Sequence, residues 1–165
     1  MGAISTMRHE DIRYRSYDRR DLEAMVELDE ACFATPFRFS ERAMRRFVEA
    51  KNAWVVVAEE GGQLAGFCIV HQEEAEGAEV GYVVTIDVDE QWRGRGVGEE
   101  MLSRGEAWVR SWKGAGMMLH VFVKNDGAVR FYERMQYGRV GLQEGFYGTG
   151  LDAALYWKEL DFRGV

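Results

Sequence analysis

Apolar and polar residues alternate along 12–17, Ile-Arg-Tyr-Arg-Ser-Tyr, which is the period of a half-buried strand. From Leu22 the spacing changes to threes and fours: Leu22, Met25, Val26 and Leu28 recur at helical intervals. Asp18 stands at an N-cap position with Asp21 three residues later, so a first helix is predicted from Arg19 to about Phe33. The lone proline, Pro36, breaks the chain within 34–37, and Ser40 opens a second helix with Met44, Phe47 and Val48 on one face. Residues 54–58 are continuously apolar, Glu60-Gly61-Gly62 turns, and 63–71 returns, which predicts a hairpin. The acidic stretch 73–79 is predicted as a connection into a strand over 80–88. Met101, Leu102, Gly105, Trp108, Val109 and Trp112 then mark a helix that stops at Gly114. A strand over 117–124, a helix over 126–136 and two closing strands, 139–147 and 153–160, about Gly148-Thr149-Gly150 complete the chain. The order βααβββαβαββ predicts an α/β (α+β) fold, a mixed sheet of about seven strands with helices on both faces.

A chain of 165 residues is long enough to bury a substantial core, and the expected organisation is a flexible polar extension over 1–11 and one domain over 12–165. With 47% hydrophobic and 30% charged residues it reads as a globular protein. No apolar run approaches the roughly 18 residues of a membrane span, and the N-terminus lacks an apolar signal core, so cytoplasmic residence is expected. A net charge of −7 argues against nucleic-acid binding and favours cationic partners such as amines or basic peptides. Cys32 and Cys68 are too few for a disulfide framework and read as core thiols; His9, His71 and His120 are too scattered for a metal site.

The chemistry begins after the strand over 80–88. Gln91-Trp92-Arg93-Gly94-Arg95-Gly96-Val97-Gly98 leads into the helical residues Glu99-Glu100-Met101-Leu102. A strand, a glycine-rich turn and a helix start form a cradle for an anion, because glycines admit close backbone approach and the helix N-terminus presents free N–H groups. Arg93 and Arg95 add formal charge. The Gly-Lys-Ser/Thr ending of a Walker loop is missing, and the position and surroundings do not match a dinucleotide fingerprint.

The segment Arg93-x-x-Gly96-x-Gly98 resembles the pyrophosphate loop of the GNAT superfamily of acetyl-CoA-dependent N-acetyltransferases, Gln/Arg-x-x-Gly-x-Gly/Ala. Downstream, Asn125-Asp126-Gly127-Ala128-Val129-Arg130-Phe131-Tyr132 is similar to the same family's Asn-x-x-Ala-x-x-Phe/Leu-Tyr, with Gln136-Tyr137 where Gly-Phe is usual. The resemblance extends from about Ile12 to Leu160 and is nearest to the branch that acetylates ribosomal-protein alanines. It implies the GNAT fold, with its two central strands splayed to admit acetyl-CoA. The expected coenzyme contacts are Ile86, Asp87 and Val88 on the strand, Arg93, Gly94, Arg95, Gly96, Val97, Gly98 and Glu99 in the loop and helix start, and Asn125, Ala128, Phe131 and Tyr132 beyond.

Acetyl transfer to an amine requires a neutral amine, a polarised carbonyl and a protonated leaving thiolate. By the resemblance, a backbone N–H near 86–88 polarises the carbonyl. Tyr132 is the family's general acid, and a phenol of pKa ~10 suits a thiolate whose acid has pKa about 8.5. Relatives carry a glutamate base five residues before the motif asparagine; here that position is His120. A histidine of pKa ~6.5 can accept a proton from an α-amine, directly or through water, and Glu79 or Tyr82 on the neighbouring strand, acting through a water, are alternatives.

Two further segments resemble the protein N-terminal acetyltransferases. Phe33-Ala34-Thr35-Pro36-Phe37 matches an aromatic inter-helix wall, and Phe146-Tyr147 followed by Gly148-Thr149-Gly150-Leu151-Asp152-Ala153 matches a hairpin that grips a peptide. Phe33, Phe37, Tyr82 and Tyr147 are the expected substrate contacts. The resemblance thus implies acetyl transfer to a protein or peptide α-amine, as a monomer or homodimer. Acetylation of a small amine (amino acid, polyamine or aminoglycoside) and a non-catalytic coenzyme A sensor are the competing readings.

Overall fold

A computed structural model describes residues 11–160. Its strands are β1 (Arg13–Ser16), β2 (Ala53–Glu60), β3 (Gln63–Ala75), β4 (Ala78–Val88), β5 (Gly116–Phe122), β6 (Gly138–Gln143) and β7 (Ala153–Glu159), and its helices are α1 (Leu22–Cys32), α2 (Glu41–Glu49), α3 (Val97–Ser111) and α4 (Asp126–Arg134). The element order is the one the hydrophobic pattern predicts. The strands form one sheet in the order β1-β2-β3-β4-β5-β7-β6. A short 3-10 turn over Arg19–Asp21 leads into α1, closed by the expected capping box between Asp18 and Asp21.

Helices α1 and α2 cover one face of the sheet, where Leu22, Met25, Leu28, Met44 and Val48 pack on Val57, Phe67 and Ile69. The other face buries Met101, Leu102 and Val109 of α3 with Tyr132 of α4 against Val70, Val83 and Leu119. Gly81 allows the close fit here, since a Cβ would lie 2.5 Å from both Met117 Sδ and Val109 Cγ2.

Two features of β4 position the site. Its antiparallel register with β3 shifts between the Val70–Val83 and Ile69–Thr85 pairs, leaving Val84 as an extra residue that bends the strand. Parallel pairing with β5 is confined to Gly81–Val83 against Met117–Leu119. Beyond it the strands diverge, so the splay implied by the resemblance is present, and the β5-facing edge of β4 is open from Val84 to Val88.

Several boundaries differ from expectation. The acidic segment 73–79 is not a loose connection: β3 continues to Ala75, Glu76 and Gly77 turn with φ +50° and +80°, and β4 starts at Ala78. The glutamates lie on an exposed two-stranded ribbon, where water screens even the directly opposed Glu74 and Glu79 and main-chain pairing persists. β6 ends at Gln143, which places Phe146 and Tyr147 in the connection to β7 rather than in a strand. α3 begins two residues early, at Val97, and α4 ends at Arg134. The expected N-terminal extension, apart from Asp11, lies outside the described residues.

Candidate acetyl-transfer site

The open edge of β4 borders two cavities that meet. The larger, about 700 Å³, follows the turn and the start of α3, lined by Val88, Arg93, Gly94, Gly96, Val97, Gly98 and Glu99 and, across from them, Phe131 and Arg134 of α4. The smaller, about 310 Å³, lies under the α1–α2 connection and is walled by Phe33, Phe37, Phe39, Phe122, His120 and Tyr147. Cys32, Phe33, Ile86, Asn125, Ala128 and Tyr132 border both. A ligand can therefore run from the glycine turn past Ile86 and Tyr132 to His120.

The turn suits a phosphate. Gly94 and Gly96 adopt φ +76° and +80°, a left-handed conformation that side chains rarely take. α2 and α4 have their first-turn N–H groups capped by Ser40 and Asn125, whereas Gly96 at the α3 N-cap has no side chain to offer. The first-turn donors of α3 thus face the cavity uncapped, the arrangement that binds anions. Arg93 Nε donates to the Val88 carbonyl at 3.2 Å and stays on the cavity wall. Arg95 does not: it turns back to Glu60 at 2.7 Å and is outside both linings, which corrects its expected coenzyme contact. Glu99 is held by Arg134 at 3.3 Å.

On β4, the Val88 carbonyl points away from β3, receiving Arg93 Nε and the Cys32 thiol. Two-residue alternation puts the main-chain N–H and C=O of Ile86 on the same open edge, beside the junction of the cavities. Asp87 alternates to the other side. Its side chain is buried under α1 and not in either lining, so only its backbone belongs to the expected coenzyme strand. Thr85 donates to Asp87 Oδ1 at 2.5 Å, and the remaining oxygen faces Asp29 of α1.

Asn125 Oδ1 accepts from the Ala128 N–H at 3.2 Å, capping α4 and leaving its amide hydrogens at the cavity. Tyr132 is buried, with its ring against Phe131 and Tyr137. Burial pushes its phenol above the ordinary value, so it stays protonated at neutral pH.

His120 on β5 is held on three sides. Gln143 Oε1 lies 3.0 Å from Nε2, the Tyr82 hydroxyl lies 2.8 Å from Nδ1, and the Phe146 ring stacks on the imidazole at 4.1 Å and 8°. A carbonyl oxygen only accepts, so Nε2 carries the hydrogen and Nδ1 accepts from Tyr82. Burial lowers the His120 pKa from 6.5, while the bond to Gln143 opposes the shift; the ring is neutral at pH 7. Burial also raises Tyr82 to about 12. The structure thus brings together the two alternatives His120 and Tyr82 as one hydrogen-bonded unit, of which His120 lines the smaller cavity and Tyr82 lines neither, which corrects its expected substrate contact.

Glu79 is not part of it. It is exposed near the start of β4, opposite Glu74, and its carbonyl accepts from Ala115, far along the strand from the cavities. Its expected role as a base is corrected accordingly. Phe37 meets Phe122 at 4.8 Å and Tyr147 at 5.0 Å, so the inter-helix wall and the β6–β7 connection converge as the resemblance implies. Phe122, Gln143, Cys32 and Asp29 were not anticipated. Phe122 was accessible from strand alternation with His120, whereas the others arrive from distant segments. Cys68 is the buried core thiol expected, but Cys32 borders the site. Among the described residues no cluster of His, Cys, Asp or Glu could hold a metal, and no helix is long and apolar enough to cross a membrane.

Comparison with known proteins identifies the architecture. The acetyltransferase (GNAT) family model matches residues 22–137. The N-alpha-acetyltransferase RimI of Mycobacterium tuberculosis is 28% identical over 145 residues, covering 87% of this chain and 90% of that protein. A mycothiol acetyltransferase of Thermobispora bispora is 36% identical over 141 residues, 79% of this chain but 48% of that protein. Arabidopsis thaliana NAA60, solved with acetyl-CoA, superposes with a TM-score of 0.81 at 23% identity, covering 91% and 99% of the two chains. The Escherichia coli ribosomal-protein-S18-alanine N-acetyltransferase gives 0.78 at 18% identity, covering 94% and 99%. The cradle, the split between β4 and β5 and these matches agree: the chain belongs to the GNAT acetyltransferase family and is an acetyl-CoA-dependent N-acetyltransferase.

Proposed function

We propose that the protein acetylates the α-amine of a protein or peptide N-terminus. The observation that carries this reading is the composition of the smaller cavity. Its lining contains aromatic and aliphatic side chains, Thr85, Asn125, Cys32 and neutral His120, and no Asp, Glu, Lys or Arg. A polyamine or aminoglycoside would bring several ammonium groups into a wall with no carboxylate to receive them, at a desolvation cost of several kcal/mol per ion. A peptide offers one amine that can enter neutral, an apolar first side chain for the wall and main-chain groups for the polar rim. The likeness to the N-alpha-acetyltransferase RimI supports the same reading.

Acetyl-CoA supplies an acetyl thioester. The α3 N-terminus and Arg93 hold its pyrophosphate, and the Ile86 main chain lies where the acetyl carbonyl is to be polarised. As the amine nitrogen forms its bond to the carbonyl carbon and the carbon–sulfur bond breaks, a water takes the amine proton and gives one of its own to the Tyr82 oxygen, which passes its own to His120 Nδ1. Tyr132 gives its proton to the departing sulfur. Each proton has one donor and one acceptor, and His120 ends as the imidazolium, which Gln143 Oε1 stabilises through Nε2–H.

The 36% identity to a mycothiol acetyltransferase favours a second reading, a small-molecule acceptor. Thiol release from acetyl-CoA, measured with a panel of N-terminal peptides and a panel of small mono- and polyamines, separates the two. Peptide turnover that depends on the first residue is expected; turnover restricted to small amines would overturn the proposal.

A further inference from the structure

Asp29 on α1 and Asp87 on β4 are 0% and 1% exposed, in a region where the reaction as described uses neither. Asp29 Oδ2 accepts from the Phe39 N–H at 2.7 Å, and Asp87 Oδ1 accepts from Thr85. The other oxygen of each, Asp29 Oδ1 and Asp87 Oδ2, has no N–H or O–H partner, and the two carboxyl groups lie within hydrogen-bonding reach of one another. Two buried acceptors facing each other with no donor between them are an arrangement native proteins avoid, and a proton on one of them resolves it.

The location gives the bond a purpose. Asp29 holds both ends of the α1–α2 connection: its carbonyl accepts from the Phe33 N–H at 3.0 Å, and its side chain takes the Phe39 N–H. Between those anchors lie Phe33 and Phe37, which wall the acceptor cavity. Asp87 sits between Ile86 and Val88, whose main chain forms the open edge beside the coenzyme cavity. We propose that Asp29 and Asp87 share one proton and act as positioning residues, the bond between them fixing the acceptor loop at 33–39 against the strand that carries the thioester. The inference rests on the acetyl-transfer reading of the two cavities.

The other titratable groups facing the pair are Arg38 and Glu30 beside Asp29, Cys32 on α1, Cys68 on β3 and Tyr132 on α4. The two thiols and the phenol are themselves held protonated by burial, so none supplies a compensating charge. Desolvation raises both aspartates; at Asp87 the neighbouring carboxyl adds to the rise and carries it well above the carboxylate range, while at Asp29 the hydrogen bond from Asp87 opposes it. The sign follows: the bond is intact while the pair retains its proton and is lost as pH rises through the raised folded-state value, when two like charges are left side by side.

Asp29→Asn separates positioning from mere packing. Its amide N–H takes the place of the shared proton, its carbonyl keeps the Phe39 bond, and with Asp87 ionised the net charge equals that of the singly protonated pair. Asp29→Ala removes every bond. With the amine found by the acceptor panel, Asp29→Ala should raise the acceptor KM about tenfold or more while the melting-temperature shift induced by coenzyme A is retained, and Asp29→Asn should hold the acceptor KM near wild type. Carbon-13 NMR of aspartate-labelled wild-type protein at pH 7 should show one protonated carboxyl that is missing in Asp29→Asn. Complete ionisation of all aspartates at that pH would overturn the shared proton, whatever the acceptor proves to be. An unchanged acceptor KM in Asp29→Ala, or in Asp29→Asn a rise equal to that of the alanine variant, would overturn the positioning role. Should Asp29→Ala not fold, the asparagine variant and the carboxyl signal still decide the question. A peptide panel that gives no turnover alongside a protonated carboxyl would count against the acceptor assignment and not against the pair.

Discussion

Tyr82→Phe tests the proton relay with the least disturbance. The change deletes one hydroxyl whose recorded partner is His120 Nδ1, at 2.8 Å, and leaves the ring in the space it already fills. The folded protein loses one partly buried neutral hydrogen bond, worth ~1 kcal/mol. If the hydroxyl carries the amine proton to the imidazole, the transition state loses general-base assistance, typically about 10²-fold or more, or roughly 2.7 kcal/mol of barrier. The catalytic loss thus exceeds the stability loss by more than a factor of two, and the variant remains folded while turnover collapses. Thiol release with a saturating peptide gives kcat, and thermal melting gives the structural control. The double variant Tyr82→Phe/His120→Ala extends the test: residues of one relay are non-additive, so the pair should be scarcely slower than the slower single variant. Because the base must be neutral and burial lowers His120 from 6.5, the acidic limb of kcat/KM in the wild type should fall below that value, and activity should be lost as pH drops through it. A Tyr82→Phe enzyme with wild-type kcat, under conditions where chemistry limits the rate, would refute the relay.

Tyr132→Phe should reduce kcat about 10²-fold with little change in the KM for acetyl-CoA, since the ring stays packed and only the proton donor is lost; an unaltered kcat excludes the acid role. Gly98→Val places a branched side chain where even a Cβ would lie 3.4 Å from the Phe131 ring, at the start of α3, and should diminish the melting-temperature shift induced by coenzyme A. Retention of the full shift would exclude this turn as the phosphate site. Glu79→Gln should leave both turnover and melting temperature unchanged, its side chain being exposed and remote from the cavities; a large loss of rate would return it to the list of bases. Lys158→Met strands Glu106, which is 3% exposed and 2.6 Å from the ammonium, and should cost about 3–5 kcal/mol of stability by denaturant unfolding with no direct effect on catalysis.

The hydrophobic periodicities carried the element order because each helix and most strands have one buried and one wet face, and burial is what the pattern records. It failed where charge and pairing diverge. The glutamates of 73–79 look like a solvated linker, yet they extend β3 and β4 as a ribbon whose faces are both open to water. Glycines and motif spacing located the turn before α3 and Asn125, both of which border the larger cavity, since these are short-range backbone requirements. Arg95 was misplaced because its partner, Glu60, comes from a hairpin turn with no sequence relation to the loop. Likewise the Asp29–Asp87 pair depends on a helix crossing a sheet, and nothing in either local pattern distinguishes these aspartates from exposed ones.

The exchange of glutamate for histidine at position 120 has a local physical reason. The side chain lies in the space between Phe146, stacked at 4.1 Å, and Tyr82, with centroids 5.7 Å apart. A carboxylate there would face the negative π-surface of the Phe146 ring and be desolvated, and both effects would raise its pKa and favour the protonated form, which is useless as a base. An imidazole meets the same surroundings differently: it stacks flat on the ring, and desolvation favours its neutral state, the one that accepts a proton. Gln143 then fixes the tautomer from β6, so that the basic nitrogen, Nδ1, points at the Tyr82 hydroxyl. Histidine at 120, Gln143 and Phe146 are therefore one solution rather than three substitutions. The aromatic connection that lines the smaller cavity thus also favours a neutral imidazole at position 120 over a carboxylate.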